Sequence, residues 1–313
     1  MKELSIVIPV LNEEGNIRIL MEKVRSSLNS YSYEAIWIDD GSTDSTVAEI
    51  KKYSDQHTRL LCLSRNFGQT AAMVAGIDAA QGEFIVTLDG DLQNNPEDIP
   101  AMVKKLKDGN WDVVTGYRKD RKDNLLRRIP SRLANKLIRS ISGVTVRDYG
   151  CSLKVFRGGF AKNLGLYGEL HRFIPILAAL QGASITDTEV SHSPRIHGKS
   201  KYGLGRTFKV LSDLFLLFFF QKYFRRPIHF FGPLGMLTLF TGTAISLYLL
   251  VEKLMGHDIW GRPLLILGVS LVLAGIQFLT FGLLAELMMR IYYESSNRKI
   301  YSIKSEFVGP AHP

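Results

Sequence analysis

Two long apolar runs near the carboxyl end constrain this chain more than any other feature. Residues 228–251 are almost uninterruptedly apolar, and about 24 residues rising about 1.5 Å each exceed the roughly 30 Å of bilayer hydrocarbon. A second run, 264–285, has Gln277 as its main polar interruption and carries Gly268, Gly275 and Gly282 on one helical face. Both read as spanning helices. The glycines read as a close-packing surface, either between the two spans or between copies of the chain in a homo-oligomer. The segment between the spans has balanced charge, whereas Arg225, Arg226, Arg290, Arg298, Lys299 and Lys304 flank their outer ends, so the positive-inside rule places both termini in the cytoplasm. Ahead of the first span, residues 207–224 are rich in Phe and Leu but include Lys209, Asp213 and Lys222, which suits an amphipathic helix lying in the bilayer interface.

The remaining amino-terminal part is long enough for one sizeable core. β-Branched apolar runs at 4–10, 35–38, 60–63, 84–88 and 111–114 alternate with helical stretches such as 15–29 and 70–80. That alternation predicts an α/β fold with a mostly parallel, Rossmann-like sheet. The first run is too short for a signal peptide, and Pro9 interrupts it. The formal charge is +9, but the basic residues concentrate beside hydrophobic segments, at 118–139 and at Arg225-Arg226. This points to membrane lipid and phosphorylated ligands rather than nucleic acid. The two cysteines, Cys62 and Cys151, match no metal spacing and are expected as free thiols in a reducing compartment.

Ligands of parallel sheets sit beyond the carboxyl ends of the strands. Polar clusters follow three of the predicted strands: Asn12-Glu13, Asp39-Asp40-Gly41-Ser42 and Asp89-Gly90-Asp91. Two acids around a glycine are by themselves most often a solvated turn. At the end of Phe84-Ile85-Val86-Thr87-Leu88 they are well placed to hold Mg2+ or Mn2+, with Gln93 adding a neutral oxygen.

The stretch Ile6-Val7-Ile8-Pro9-Val10-Leu11-Asn12-Glu13-Glu14, followed by Ile38-Asp39-Asp40-Gly41-Ser42-Thr43-Asp44, resembles the family 2 glycosyltransferases of the GT-A fold. The resemblance narrows to the polyprenyl-phosphate glycosyltransferases, the group that includes dolichol-phosphate mannose synthases and bacterial undecaprenyl-phosphate sugar transferases. The residues that narrow it are Asp89-Gly90-Asp91-Leu92-Gln93 with Pro96-Glu97, Arg65-Asn66-Phe67-Gly68, Arg147-Asp148-Tyr149-Gly150-Cys151, and Arg195-Ile196-His197-Gly198-Lys199-Ser200-Lys201-Tyr202.

This resemblance implies donor contacts for Pro9, Glu13, Asp39 and Asp40, metal ligation by Asp89, Asp91 and Gln93, and a general base at Asp148. Asp148 could instead orient the acceptor or pair with a neighbouring arginine. Arg195, Ser200 and Lys201 would close over the donor phosphates. Arg118, Arg128 and Arg132 would receive the lipid phosphate or attract anionic headgroups. Gln221-Lys222-Tyr223-Phe224-Arg225-Arg226 lacks the Trp of the processive synthases' Gln-x-x-Arg-Trp motif, which favours transfer of a single sugar.

The implied function is inverting transfer from a UDP- or GDP-linked sugar to a polyprenyl phosphate, in an integral protein of the bacterial plasma membrane. Transfer to a hydroxyl acceptor and a catalytically silent nucleotide-sugar-binding scaffold are the rival readings. The expected layout is a cytoplasmic GT-A domain over 1–205, an interfacial helix over 206–227, two transmembrane helices within 228–289 and a cytoplasmic tail over 290–313.

Overall fold

The apolar runs pair into one sheet. In a computed structural model that describes residues 2–118, 146–166, 170–193, 228–295 and 299–310, strands β1 (Leu4–Val10), β2 (Tyr33–Asp39), β3 (Thr58–Leu63), β4 (Phe84–Thr87) and β5 (Val113–Tyr117) alternate with helices. The helices are α1 (Glu14–Ser27), α2 (Thr46–Lys52), α3 (Gln69–Ala79) and α4 (Ile99–Asp108). Beyond these lie β6 (Lys154–Arg157), α5 (Ile174–Leu180), β7 (Ile185–Glu189) and β8 (Ile303–Val308). The strand order is β7-β5-β6-β4-β1-β2-β3-β8. β6 is antiparallel to β4 and β5, and β8 to β3, while the other neighbours are parallel.

Leu4, Ile6, Val7 and Ile8 of the central strand have no exposed surface, as expected of a strand covered on both faces. α1 buries Ile17, Leu20, Met21 and Val24, an i, i+3, i+4, i+7 stripe. α3 approaches closely because Gly76 has no side chain: a Cβ there would lie 2.6 Å from Ile38 Cδ1. Pro9 sits opposite Ile38, but β4 has already ended at the level of Val7. Its missing N–H is therefore not owed to a neighbour on that side.

The carboxyl-terminal segment departs from the expected tail. α7 (Pro263–Ser295) runs past residue 290, and β8 then pairs along β3 from Val308 opposite Arg59 to Ile303 opposite Leu63. Backbone pairing covers the edge of β3 and makes β8 the edge strand, and Arg59 Nε meets Glu306 Oε1 at 2.6 Å. Tyr301 donates to Asp78 Oδ2 at 2.8 Å. Most of β8 is exposed, so its sequence carries no alternating apolar pattern.

Helices α6 (Ile228–Leu254) and α7 belong to a second unit. Within them, Phe230–Leu254 and Pro263–Ala285 are long and apolar enough to cross a bilayer, with mean hydropathy of 1.8 and 2.3. Large apolar side chains such as Leu237, Phe240, Ile266 and Leu273 point outward. The glycine face is used between the two helices. A Cβ on Gly268 would lie 2.9 Å from Ile245 Cγ2, one on Gly275 2.7 Å from the Leu239 nitrogen, and one on Gly242 2.6 Å from the Val272 nitrogen. Gly242→Leu should therefore force the helices apart, at a cost of at least about 2 kcal/mol, and lower the thermal unfolding midpoint in detergent. The interfacial helix expected over 206–227 lies outside the described residues.

Candidate active site

Strand direction gathers the polar residues on one edge. β1, β2 and β4 end side by side, with Val10 opposite Asp39 and Val7 opposite Thr87. β5 delivers Tyr117 and Arg118 to the same edge. β6 runs the other way, so its first residue, Lys154, faces Thr87 and Thr115 there.

The loops after β1 and β2 are latched together. Asn12 adopts φ 52°, and its Oδ1 accepts from the Thr43 amide at 2.8 Å while its own amide donates to Ser42 Oγ at 2.9 Å. The Glu13 amide donates to Thr46 Oγ1 at 2.9 Å, and Glu13 Oε2 accepts from Asn16 Nδ2 at 2.6 Å. Asp39 accepts from the Ser42 amide. Asp40 accepts from the Phe67 and Gly68 amides at 2.7 and 2.9 Å, although burial still raises its carboxyl above the usual range. Gly41 holds φ 81°, and a Cβ there would stand 2.9 Å from the Asn66 nitrogen. Gly41→Ala is expected to cost at least about 1–2 kcal/mol from the left-handed backbone alone, measurable as a lower unfolding midpoint.

Across β1, Gln69 Nε2 donates to Asp89 Oδ1 at 2.8 Å. Burial pushes the Asp89 carboxyl up to about 6; the Asp91 charge adds to this, while Ser152, Lys154 and Arg118 oppose it. Asp91 is 8% exposed, and its Oδ1 accepts from the Gln93 amide across Leu92, whose φ is 61°. The Gln93 carbonyl in turn accepts from the Ser193 amide at 2.9 Å and lies 3.1 Å from His192 Nδ1. Gly90 is required by the close approach of β1, since a Cβ there would lie 2.7 Å from Val10 Cγ1.

Beside these acids, Arg118 forks onto Asp148, with Nε to Oδ2 at 2.7 Å and Nη2 to Oδ1 at 3.2 Å. The two side chains are 11% and 7% exposed. Among the described residues the arginine on Asp148 is Arg118, whereas Arg147 reaches Asp187 and lies over the Tyr117 ring. Lys154 is 2% exposed, and its ammonium donates to the Cys151 carbonyl.

Residues 5–165 match the family model described as "Glycosyl transferase family 2". The chain belongs to that family. It is 46% identical over 97% of its length, and 93% of the relative's, to a dodecaprenyl-phosphate galacturonate synthase of Rhizobium johnstonii. It is also 35% identical, over 98% of its length and 93% of the relative's, to an undecaprenyl-phosphate 4-deoxy-4-formamido-L-arabinose transferase of Shewanella sediminis. Among solved structures it resembles glucosyl-3-phosphoglycerate synthase of Mycobacterium tuberculosis, crystallised with Mn2+, UDP and phosphoglyceric acid. There the TM-score is 0.54 at 16% identity, over 70% of this chain and 78% of the other. That likeness shows the GT-A fold.

The acidic edge of this family 2 enzyme fits a divalent cation by its chemistry. Asp89 and Asp91 are hard oxygen donors, and the Asp91 charge adds to burial in raising the Asp89 carboxyl when no cation is present to offset it. Among the described residues no group of three His, Cys, Asp or Glu that could by itself hold a metal ion is found.

Of the residues expected from the sequence, Pro9, Glu13, Asp39, Asp40, Asp89, Asp91, Gln93, Arg118 and Asp148 occupy this one edge. Arg128, Arg132, Arg195, Ser200 and Lys201 lie outside the described residues. Gln69 and Lys154 were not anticipated. A lysine two residues into an apolar run carries no local signal, and only the reversed direction of β6 brings it here.

Proposed function

We propose that this family 2 glycosyltransferase moves a single sugar, with inversion, from a nucleoside diphosphate sugar to a polyprenyl phosphate. The observation that carries the reading is the pairing of Asp89-Asp91 with the buried Arg118–Asp148 fork on one sheet edge, in a chain that also holds two bilayer-length apolar helices. The named relatives that match nearly the whole chain act on polyprenyl phosphates, which supports that acceptor.

Asp39 and Asp40, fixed by backbone amides, would receive the nucleoside. Asp89 and Asp91, with Gln93, would hold Mg2+ or Mn2+, which when bound neutralises charge on the departing diphosphate. Arg118 offers a guanidinium to phosphate oxygens. A phosphate monoester is already largely dianionic at neutral pH, its second pKa being about 6, so the acceptor needs no strong base. With both oxygens on Arg118, Asp148 acts by orienting that arginine.

Strand β8 (Ile303–Val308) pairs with β3 in the sheet formed by the amino-terminal part. Two candidate spans would leave both termini on one side of the bilayer, and the Arg and Lys residues at their outer ends favour the cytoplasmic side.

The test is transfer from radiolabelled UDP- and GDP-sugars by the purified full-length chain in detergent with Mn2+ and undecaprenyl phosphate. Acid-labile, chelator-sensitive label in the lipid phosphate is expected. Label appearing only in a hydroxyl lipid, or none from any donor, would sink the proposal.

A further inference from the structure

The turn leading into α3 and the first residues of that helix touch both halves of the site. The Phe67 and Gly68 amides hold Asp40, the Gln69 side chain reaches Asp89, and Thr70 Oγ1, in a residue 2% exposed, meets His171 Nδ1 at 2.7 Å. The backbone on either side of Gln69 is thereby pinned. An ionised carboxylate only accepts, so the amide must present its nitrogen to Asp89.

The choice of an amide is chemically specific. A lysine in its place would neutralise Asp89 and compete with an arriving cation, and a glutamate would repel it. An uncharged donor fixes the carboxylate and leaves its charge available. We propose that Gln69 is a positioning residue for the divalent cation, holding Asp89 in the orientation that binds metal. This rests on the metal reading of Asp89 and Asp91.

Gln69 opens its helix and is half-buried, so exchanging it disturbs little packing. The experiment uses the full-length chain in detergent and follows free Mn2+ by electron paramagnetic resonance, with Mn2+ alone and with uridine or guanosine diphosphate, without sugar or acceptor. Gln69→Leu removes the donor and Gln69→Asn is too short to reach. Each should raise the Kd for Mn2+ about tenfold or more, with an unchanged metal-free unfolding midpoint. Gln69→His, which can offer a ring N–H at similar reach, should recover most of the affinity. In turnover, the Leu and Asn variants should regain kcat once Mn2+ is raised to saturation.

Unaltered Mn2+ affinity in both Gln69→Leu and Gln69→Asn overturns the proposal. So does a loss of kcat that saturating Mn2+ does not restore. If the unsubstituted protein itself binds no Mn2+, the metal reading falls and this inference with it.

Discussion

Asp91→Asn should lower kcat for sugar transfer on the order of a thousandfold, because it removes half of the charge that would hold the cation serving the leaving group. Asn keeps the volume of the side chain, and its carbonyl can still accept from the Gln93 amide that Asp91 now caps. The positive φ of Leu92 and the surrounding loop should therefore survive, and a folded but inactive protein is the expected product. Steady-state transfer at saturating Mn2+, together with the unfolding midpoint, checks this. Retention of more than about a tenth of the rate would show that charge at Asp91 is not required, since a well-placed electrostatic contact in a dry site contributes about a hundredfold or more.

The second large effect concerns Arg118 and Asp148. Alanine at either position removes one half of a charge pair whose side chains are about nine-tenths covered, and breaking a buried pair costs about 3–5 kcal/mol. Arg118→Met combined with Asp148→Leu should cost less than either alanine substitution alone, because both charges of the pair give way to apolar groups together. Thermal or denaturant unfolding of the three variants beside the unsubstituted protein checks this order. Activity separates the two readings of Asp148. General-base catalysis contributes about a hundredfold to ten-thousandfold. Asp148→Asn should stay above the lower of these losses with saturating lipid phosphate if the acceptor is dianionic and Asp148 orients Arg118. A loss at the upper end would restore the base role and favour a hydroxyl acceptor.

These predictions rest on features that were unequally visible in the sequence. Strands β1 to β4 were legible because each is buried on both faces and so reads as a continuous apolar run, and the acids at their ends follow directly. β8 was not legible. Its side chains are mostly exposed and it is held by backbone pairing to β3 and by the Arg59–Glu306 contact, neither of which leaves a periodic trace. The expectation of a tail there was wrong for that reason. The seven-residue spacing of Gly268 and Gly275 showed a packing face but not its partner. The close approach of Leu239 and Ile245 assigns that face to the two helices of the same chain.

The sequence by itself determined the sheet's central strands, the two bilayer-length helices, and the residue types able to hold a nucleotide and a cation, because burial and charge at strand ends are local properties of the chain. Only the tertiary structure decided that Arg118, thirty residues away, is the partner of Asp148, that Gln69 rests on Asp89, and that Lys154 comes to the same edge. Those contacts depend on strand order and direction, which are set by how separate segments cover one another's apolar faces and are written in no single stretch of the chain.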